Sequence, residues 1–281
     1  MRVIVMCHNV LKIFKMEKLH QIASELLSSG KVKLVIGYEK GTGDKRRPAF
    51  VSNVNAVDRL VFDRHCSHNL SVYLTKPEYK NTTYIAIFAT PLTMRSVVRL
   101  AGENQFPGKN LSFIVLDQDQ NLSLIEGVEA LANHVGQEKI VPSEVHAELL
   151  AKFESMSREE RFAFWKEQLS NCIKCYACRA ACPMCYCSRC TVEVNQPQWI
   201  SVPSTLQGNF EYHIMRAMHM AGRCVDCGSC EAACPLGVPL NLITRRMIKD
   251  IEASLGPDIV SMDTKSVLNT FQPNDKENFI R

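Results

Sequence analysis

Apolar residues recur at helical spacing in Leu19, Ile22, Ala23, Leu26 and Leu27, and Gly30 follows as a stop, so the first clear element is an amphipathic helix. Val32 to Tyr38 then reads as a strand, a polar, Gly-containing loop runs from Glu39 to Pro48, and a second short strand lies near Phe50. Tyr84 to Ala89 is an unbroken apolar run of buried-strand character. Pro91 to Asn104 is an amphipathic helix with proline in its first turn, and Leu111 to Leu116 is another strand. Strand, helix and strand at this spacing form a βαβ unit. The pattern predicts a small α/β domain over residues 16–140, after an N-terminal lead of residues 1–15.

Residues 141–170 form a helical connector, in which Ser143 caps a helix to Met156 and Ser157-Arg158-Glu159-Glu160 is a capping box. The box opens a second helix, whose Phe162, Phe164, Trp165 and Leu169 read as a packed face. From there to the C-terminus regular periodicity is sparse. It returns from Asn209, read as a cap, to Ala221, and from Leu240 to Leu255 with Gly256 as the stop, before an extended tail over Asp263 to Arg281. Between those helices something other than a hydrophobic period must organise the chain.

Composition is that of an ordinary globular protein: 281 residues, 46% hydrophobic against 22% charged. The net charge of +4 comes from Lys and Arg scattered along the chain, without the basic stripe that nucleic-acid binding needs. No run of eighteen apolar residues exists, and His8, Asn9, Lys12 and Lys15 break up the apolar start, so neither a spanning helix nor a signal peptide is expected and the expected location is cytoplasmic.

Cysteine changes the picture. There are thirteen, and eleven fall between Cys172 and Cys234. A secreted disulfide scaffold would spread them through the fold and follow a signal peptide, so the thiols are read as metal ligands. Cys172-Ile-Lys-Cys175-Tyr-Ala-Cys178-Arg-Ala-Ala-Cys182-Pro183 and Cys224-Val-Asp-Cys227-Gly-Ser-Cys230-Glu-Ala-Ala-Cys234-Pro235 are one twelve-residue pattern written twice. Three thiolates at two-residue gaps wrap one face of a 4Fe-4S cubane, while the fourth is carried away on a helical turn to the other cluster. The spacing predicts a crossed pair: Cys172, Cys175, Cys178 and Cys234 on one cluster, Cys224, Cys227, Cys230 and Cys182 on the other. Zinc would need only two CxxC pairs per site and has no use for the third cysteine, the fourth and the proline.

Cys185, Cys187 and Cys190 are surplus to two cubanes. Three thiols so close invite either metal or oxidation. They are expected to hold a third 4Fe-4S cluster with Cys66, flanked by His65 and His68, as the fourth ligand. Zinc or simple packing is the alternative. Cys7 reads as a spare thiol. His213 and His219 share a helix beside the second motif and read as packing around it, with Arg223 next to Cys224 offsetting cluster charge. Gly41-Thr42-Gly43-Asp44-Lys45-Arg46-Arg47 fits neither phosphate-binding fingerprint and reads as an exposed basic loop.

The repeated motif resembles bacterial-type dicluster ferredoxins. The wider chain resembles the β-subunits of deazaflavin-reducing hydrogenases and formate dehydrogenases, of the kind found beside heterodisulfide-reductase-like complexes in anaerobes. This second likeness rests on Cys172 to Cys190, on His213-Ile-Met-Arg216-Ala-Met-His219-Met-Ala-Gly222-Arg223-Cys224, and on Arg47-Pro48 and Arg59 to Leu74. Where flavin-bearing members of that family carry a lysine-glycine-cysteine-aspartate turn, this chain has Ala89-Thr90-Pro91-Leu92-Thr93-Met94-Arg95, and the next strand ends in Leu116-Asp117 without a cysteine. Only Arg95-Ser96 matches, so no flavin is expected.

The fold class expected is α+β: an N-terminal α/β docking domain, then a bacterial dicluster ferredoxin-like domain over residues 171–240 with an insertion between its two cluster motifs, and a C-terminal helix and tail over 241–281. No acid-base pair or nucleophile stands out. The function expected is one-electron relay within a multisubunit oxidoreductase, its partners being other subunits of a heterodisulfide-reductase-like, hydrogenase or formate dehydrogenase type. The rival reading is a flavin-dependent reductase or dehydrogenase subunit with a hydride site of its own.

Overall fold

The structure, a computed structural model, describes residues 16–63, 65–79, 82–106, 109–116, 122–135, 144–190, 192, 194 and 197–255. Cys7, Asp117, the cap at Ser143, the stop at Gly256 and the tail from Asp263 lie outside the described residues. The described residues up to 135 form one compact unit and those from 144 a second.

In the first unit, helix α1 (residues 16–28) buries Leu19, Ala23 and Leu26, and Gly30 leaves it at a φ of 71°, donating its N–H to Leu27. A five-stranded sheet follows, in the order β2-β1-β3-β4-β5. Its strands are β1 (Leu34–Lys40), β2 (Arg46–Val51), β3 (Tyr84–Ala89), β4 (Asn110–Leu116) and β5 (Leu122–Glu126). β1, β3 and β4 are parallel neighbours, and the edge strands β2 and β5 run antiparallel to theirs. This explains the sequence pattern. Central β3 is apolar almost throughout because both faces are covered, whereas β5 exposes Ser123, Leu124 and Glu126 and so lacks a strand signature.

Helix α2 (Pro91–Gly102) joins β3 to β4, giving the expected βαβ unit; Thr90 caps it by accepting the Thr93 N–H at 3.3 Å. A further helix, α3 (Val128–Val135), follows β5. One expectation is corrected here: the strand expected from Val32 runs instead from Leu34 to Lys40. The basic segment is exposed as expected over Thr42 to Lys45, a tight turn closed by Gly41 N–H to Lys45 O at 3.0 Å, but its end belongs to β2, where Arg46 pairs with Asp63 at 2.6 Å and Arg47 with Glu39 at 2.8 Å.

The second unit is helical: α4 (Glu144–Ser155), α5 (Arg158–Ser170), α6 (Ala177–Ala180), α7 (Leu206–His219), α8 (Ser229–Ala232) and α9 (Leu240–Leu255). The capping box opens α5, the Ser157 N–H donating to Glu160 at 2.7 Å and the Glu160 N–H to Ser157 Oγ at 3.2 Å. Trp165 lies edge-on to Phe153 and Phe164 and packs on the core, while Phe162 is exposed and stacks on Phe210. Helix α9 is tied to α4 by Glu154, which pairs with Lys249 at 2.7 Å and Arg246 at 3.2 Å. No helix among the described residues is long and apolar enough to cross a membrane.

One boundary differs from the sequence expectation in a useful way. Helix α7 starts at Leu206, capped by Thr205 and not by Asn209. A cap side chain must accept from the first turn, but the Asn209 amide donates to the carbonyls of Leu169 and Cys172, both at 2.8 Å. It ties α7 to the end of α5 and to the first cysteine loop.

Candidate metal centre

Both copies of the cysteine motif take the same backbone. After Cys172 the chain turns through left-handed residues at Lys174 (φ 53°) and Tyr176 (φ 57°); after Cys224 it does so at Asp226 (φ 58°) and Gly228 (φ 74°). Alternating handedness curls each loop so that amide N–H groups face inward, an anion-binding nest. In each loop the same amide reaches the same sulfur: Lys174 N–H to Cys172 Sγ and Asp226 N–H to Cys224 Sγ, both 3.4 Å. Short helices α6 and α8, four residues each, then carry Cys182 and Cys234 out of their own loops.

The two loops exchange their last cysteines. One cavity is lined by Cys172, Cys175 and Cys178 of the first loop with Cys234 of the second. The other is lined by Cys224, Cys227 and Cys230 with Cys182 of the first. Pro235 lines the first cavity and Pro183 the second, so each proline enters the partner cage beside its cysteine. All twelve described cysteines are free thiols. Among the described residues no three or more His, Cys, Asp or Glu side chains converge as ligands of one metal ion. A zinc ion, about 2.3 Å from each sulfur, draws its ligands to a point; sulfurs spread around the wall of a cavity suit a polynuclear core. The donor set therefore fits a 4Fe-4S cluster in each cavity.

Helix α7 supplies much of the wall. His213 Nε2 lies 3.3 Å from Cys172 Sγ, Tyr212 Oη 3.3 Å from Cys178 Sγ, and Met220 Sδ 3.8 Å from Cys182 Sγ. Gly208 lets Lys174 cross the helix, since a Cβ there would stand 2.7 Å from Lys174 Nζ, and that ammonium donates to the Ser201 carbonyl. Around the second loop α9 does the same work. Asn241 Oδ1 is 3.3 Å from Cys230 Sγ, the Asn241 N–H donates to Glu231 at 2.9 Å, and Arg245 Nε bonds both carboxylate oxygens of Asp226 at 2.8 Å.

Electrostatics follow from burial. Burial raises the pKa of the Cys172 and Cys224 thiols and pushes Cys230 up to about 12, so these groups hold their protons until a metal displaces them. Burial, then the charges of Arg216 and Lys174, pull His213 down to about 4, which leaves a neutral ring at pH 7. Arg216 is only 8% exposed. Burial opposes its charge, but the facing sulfurs of Cys182, Cys230, Cys185 and Cys178 outweigh it and raise its pKa.

The surplus cysteines also sit together. Cys185, Cys187 and Cys190 line a third cavity of about 290 Å³ with His219, Arg179 and Arg223. Cys66 belongs to the first unit, just before a short 3-10 helix (Leu70–Thr75). Its Sγ accepts the Asp63 N–H at 3.5 Å, and burial pushes its thiol up to about 11. Spacing alone singles out none of Tyr212, Arg216, Asn241 and Lys174. Beside the family likeness of the stretch from His213 to Cys224, the periodic signal is the i, i+4, i+8 stripe Tyr212, Arg216 and Met220 on a helix that had no visible partner.

Residues 171–239 match the model of a family described as 4Fe-4S dicluster domain. Over 112 residues the chain is 36% identical to the F420-dependent formate dehydrogenase subunit beta of Methanocaldococcus jannaschii, a stretch covering 38% of this chain and 29% of that protein. Over 39 residues it is 41% identical to the F420-dependent formate dehydrogenase 1 subunit beta of Methanococcus maripaludis, covering 14% and 10%. The chain thus spans less than a third of the length of either relative. It carries a dicluster 4Fe-4S domain and is related, over part of its length, to formate dehydrogenase beta subunits.

Proposed function

We propose that the protein is a one-electron relay subunit of a multisubunit oxidoreductase, with a 4Fe-4S cluster held by Cys172, Cys175, Cys178 and Cys234 and a second by Cys182, Cys224, Cys227 and Cys230. The observation that carries this reading is the sorting of eight repeated cysteines into two four-thiol cavities, each completed by the other loop. When bound, each cluster supplies a one-electron centre whose potential is set by charge, hydrogen bonds and solvent exposure.

The chain's own residues act on those three quantities. The inward amides of Lys174 and Asp226 and the Nε2 of His213 stabilise charge on the sulfurs. Arg216 holds a buried positive charge close to sulfurs of both cages. Cys175 is exposed and is flanked by Ile173, 60% exposed, with Leu236, 45% exposed, also on the first cage's wall; this gives that cage an apolar, solvent-facing edge suited to electron exchange with a partner. The first unit is read as the docking domain.

Anaerobic reconstitution with iron and sulfide tests the proposal. The full chain should bleach in the visible on dithionite reduction and show the magnetic resonance signals of two reduced cubanes. A colourless protein with its thiols free would overturn it. That both relatives are beta subunits of F420-dependent formate dehydrogenases supports a second reading, a reductase subunit with a hydride site of its own; stoichiometric flavin extracted from the native protein would favour it.

A further inference from the structure

The third cavity is not needed by a two-cluster relay, and its walls are unlike those of a core. Three thiols and an imidazole, from Cys185, Cys187, Cys190 and His219, line one space of about 290 Å³. That volume exceeds the gaps of a close-packed interior. Cys187 and His219 are both exposed, so the space opens at the side where they stand, while Cys185 and Cys190 lie deeper.

Three arginines surround it. Arg179 donates to the Cys187 carbonyl and Arg223 to the Met184 carbonyl, both at 3.4 Å, which fixes the loop that bears the thiols. Arg216 is nine-tenths buried, and among the described residues its Nε has no hydrogen-bond partner. A guanidinium buried this deeply needs negative charge beside it, and an anionic occupant of the cavity that Arg216 lines supplies it.

We propose that Cys185, Cys187, Cys190 and His219 hold a third 4Fe-4S cluster. Three thiolates on a cubane leave a net negative charge, which matches the arginines. The same four donors would also make a Cys3His zinc site, but zinc requires them to meet within about 2.3 Å of one point. The four donors instead line a cavity of about 290 Å³, room that a single ion does not need and a cubane does. The site adjoins both cages. Arg216, Met184 and Met220 line it and the second cage, and Tyr212 lines it and the first, so it lies within short electron-transfer reach of either.

The test uses the full chain, reconstituted anaerobically with ferrous iron and sulfide. Iron should reach about twelve atoms per chain, against about eight for two cubanes. The exposed Cys187→Ala should lose about four of them and keep the signals of the two cages; Cys185→Ala with Cys190→Ala should do the same. Nitrogen hyperfine coupling should appear in the reduced third signal and vanish in His219→Cys. Wild-type iron near eight, iron unchanged in Cys187→Ala, or one zinc per chain bound with the two cages intact would overturn the cluster. Iron that falls in Cys66→Ser but not in His219→Ala would give the fourth position to Cys66 and overturn the assignment of His219. The count of twelve rests on the two-cage reading: a wild-type value well below eight would overturn both, whereas a value near eight would overturn the third cluster alone.

Discussion

The two copies of the cysteine motif share a sequence pattern, a backbone and a sulfur-to-amide bond of the same length, yet they sit in different surroundings. The first leaves Cys175 exposed and meets an imidazole and a phenol from α7; the second has the equivalent Cys227 half-buried and meets an amide from α9 and the guanidinium of Arg216. Local sequence makes the two loops alike. The helices packed against them make them different, and potentials follow the surroundings.

The largest effect should come from breaking the exchange of cysteines. Cys234→Ala should remove about four iron atoms and abolish the signal of the first cage, although Cys234 belongs to the second motif in sequence. Loss of the second cage's signal in that variant would show that each loop ligates its own cluster and would end the crossed arrangement.

Next in size is Arg216→Met. Removing a buried positive charge disfavours the reduced, more negative cluster, so both potentials should fall. The second cage should fall more, by roughly 100 mV, which corresponds to about 2 kcal/mol for a one-electron couple. Two of the sulfurs that face Arg216, Cys182 and Cys230, are in that cage and one, Cys178, is in the first. Redox titration of the full chain reads both values, and equal shifts would mean that Arg216 does not distinguish the cages.

His213→Phe removes the ring nitrogen 3.3 Å from Cys172 Sγ and should lower the first potential alone, by a few tens of mV, the size expected for one hydrogen bond of about 1 kcal/mol. A matching shift in the second cage would contradict the local assignment. The smallest effect is structural. Gly228 holds a φ of 74°, and a Cβ there would meet Asn241 Nδ2 at 3.3 Å, so Gly228→Ala should destabilise the holo protein by about 1 kcal/mol in thermal unfolding. The first loop carries Tyr176 at the equivalent place, and Tyr176→Ala, which keeps the left-handed residue nonglycine, should leave that strain unchanged while losing the edge contact to Tyr212. Equal tolerance of alanine at both positions would imply that the loops differ in backbone after all.

Parts of the molecule were legible because their signals are short-range. The unbroken apolar run of β3, the capping box at Ser157 and the proline at the start of α2 each constrain only a few neighbouring residues. Strand β5 was not legible, since an edge strand with exposed Ser123 and Glu126 needs no alternation of apolar residues. Asn209 was misread for a similar reason. A polar residue near a helix start has the local character of a cap, and only the carbonyls of Leu169 and Cys172, brought in from 40 and 37 residues away, show what its amide bonds.

By itself the sequence determined the two cysteine loops: spacing of two and three residues limits what each backbone can do, and a repeated pattern repeats the geometry. Tertiary structure alone decided what each sulfur touches. The contacts of His213 with Cys172 and of Tyr212 with Cys178 join residues 41 and 34 positions apart, and the face that α7 turns toward the cages depends on every element packed around it. The periodicity of a helix states that a stripe exists. It does not state what the stripe faces, and that is why the Tyr212, Arg216 and Met220 row, and the cavity it shares with Cys185, Cys187 and Cys190, emerged only in three dimensions.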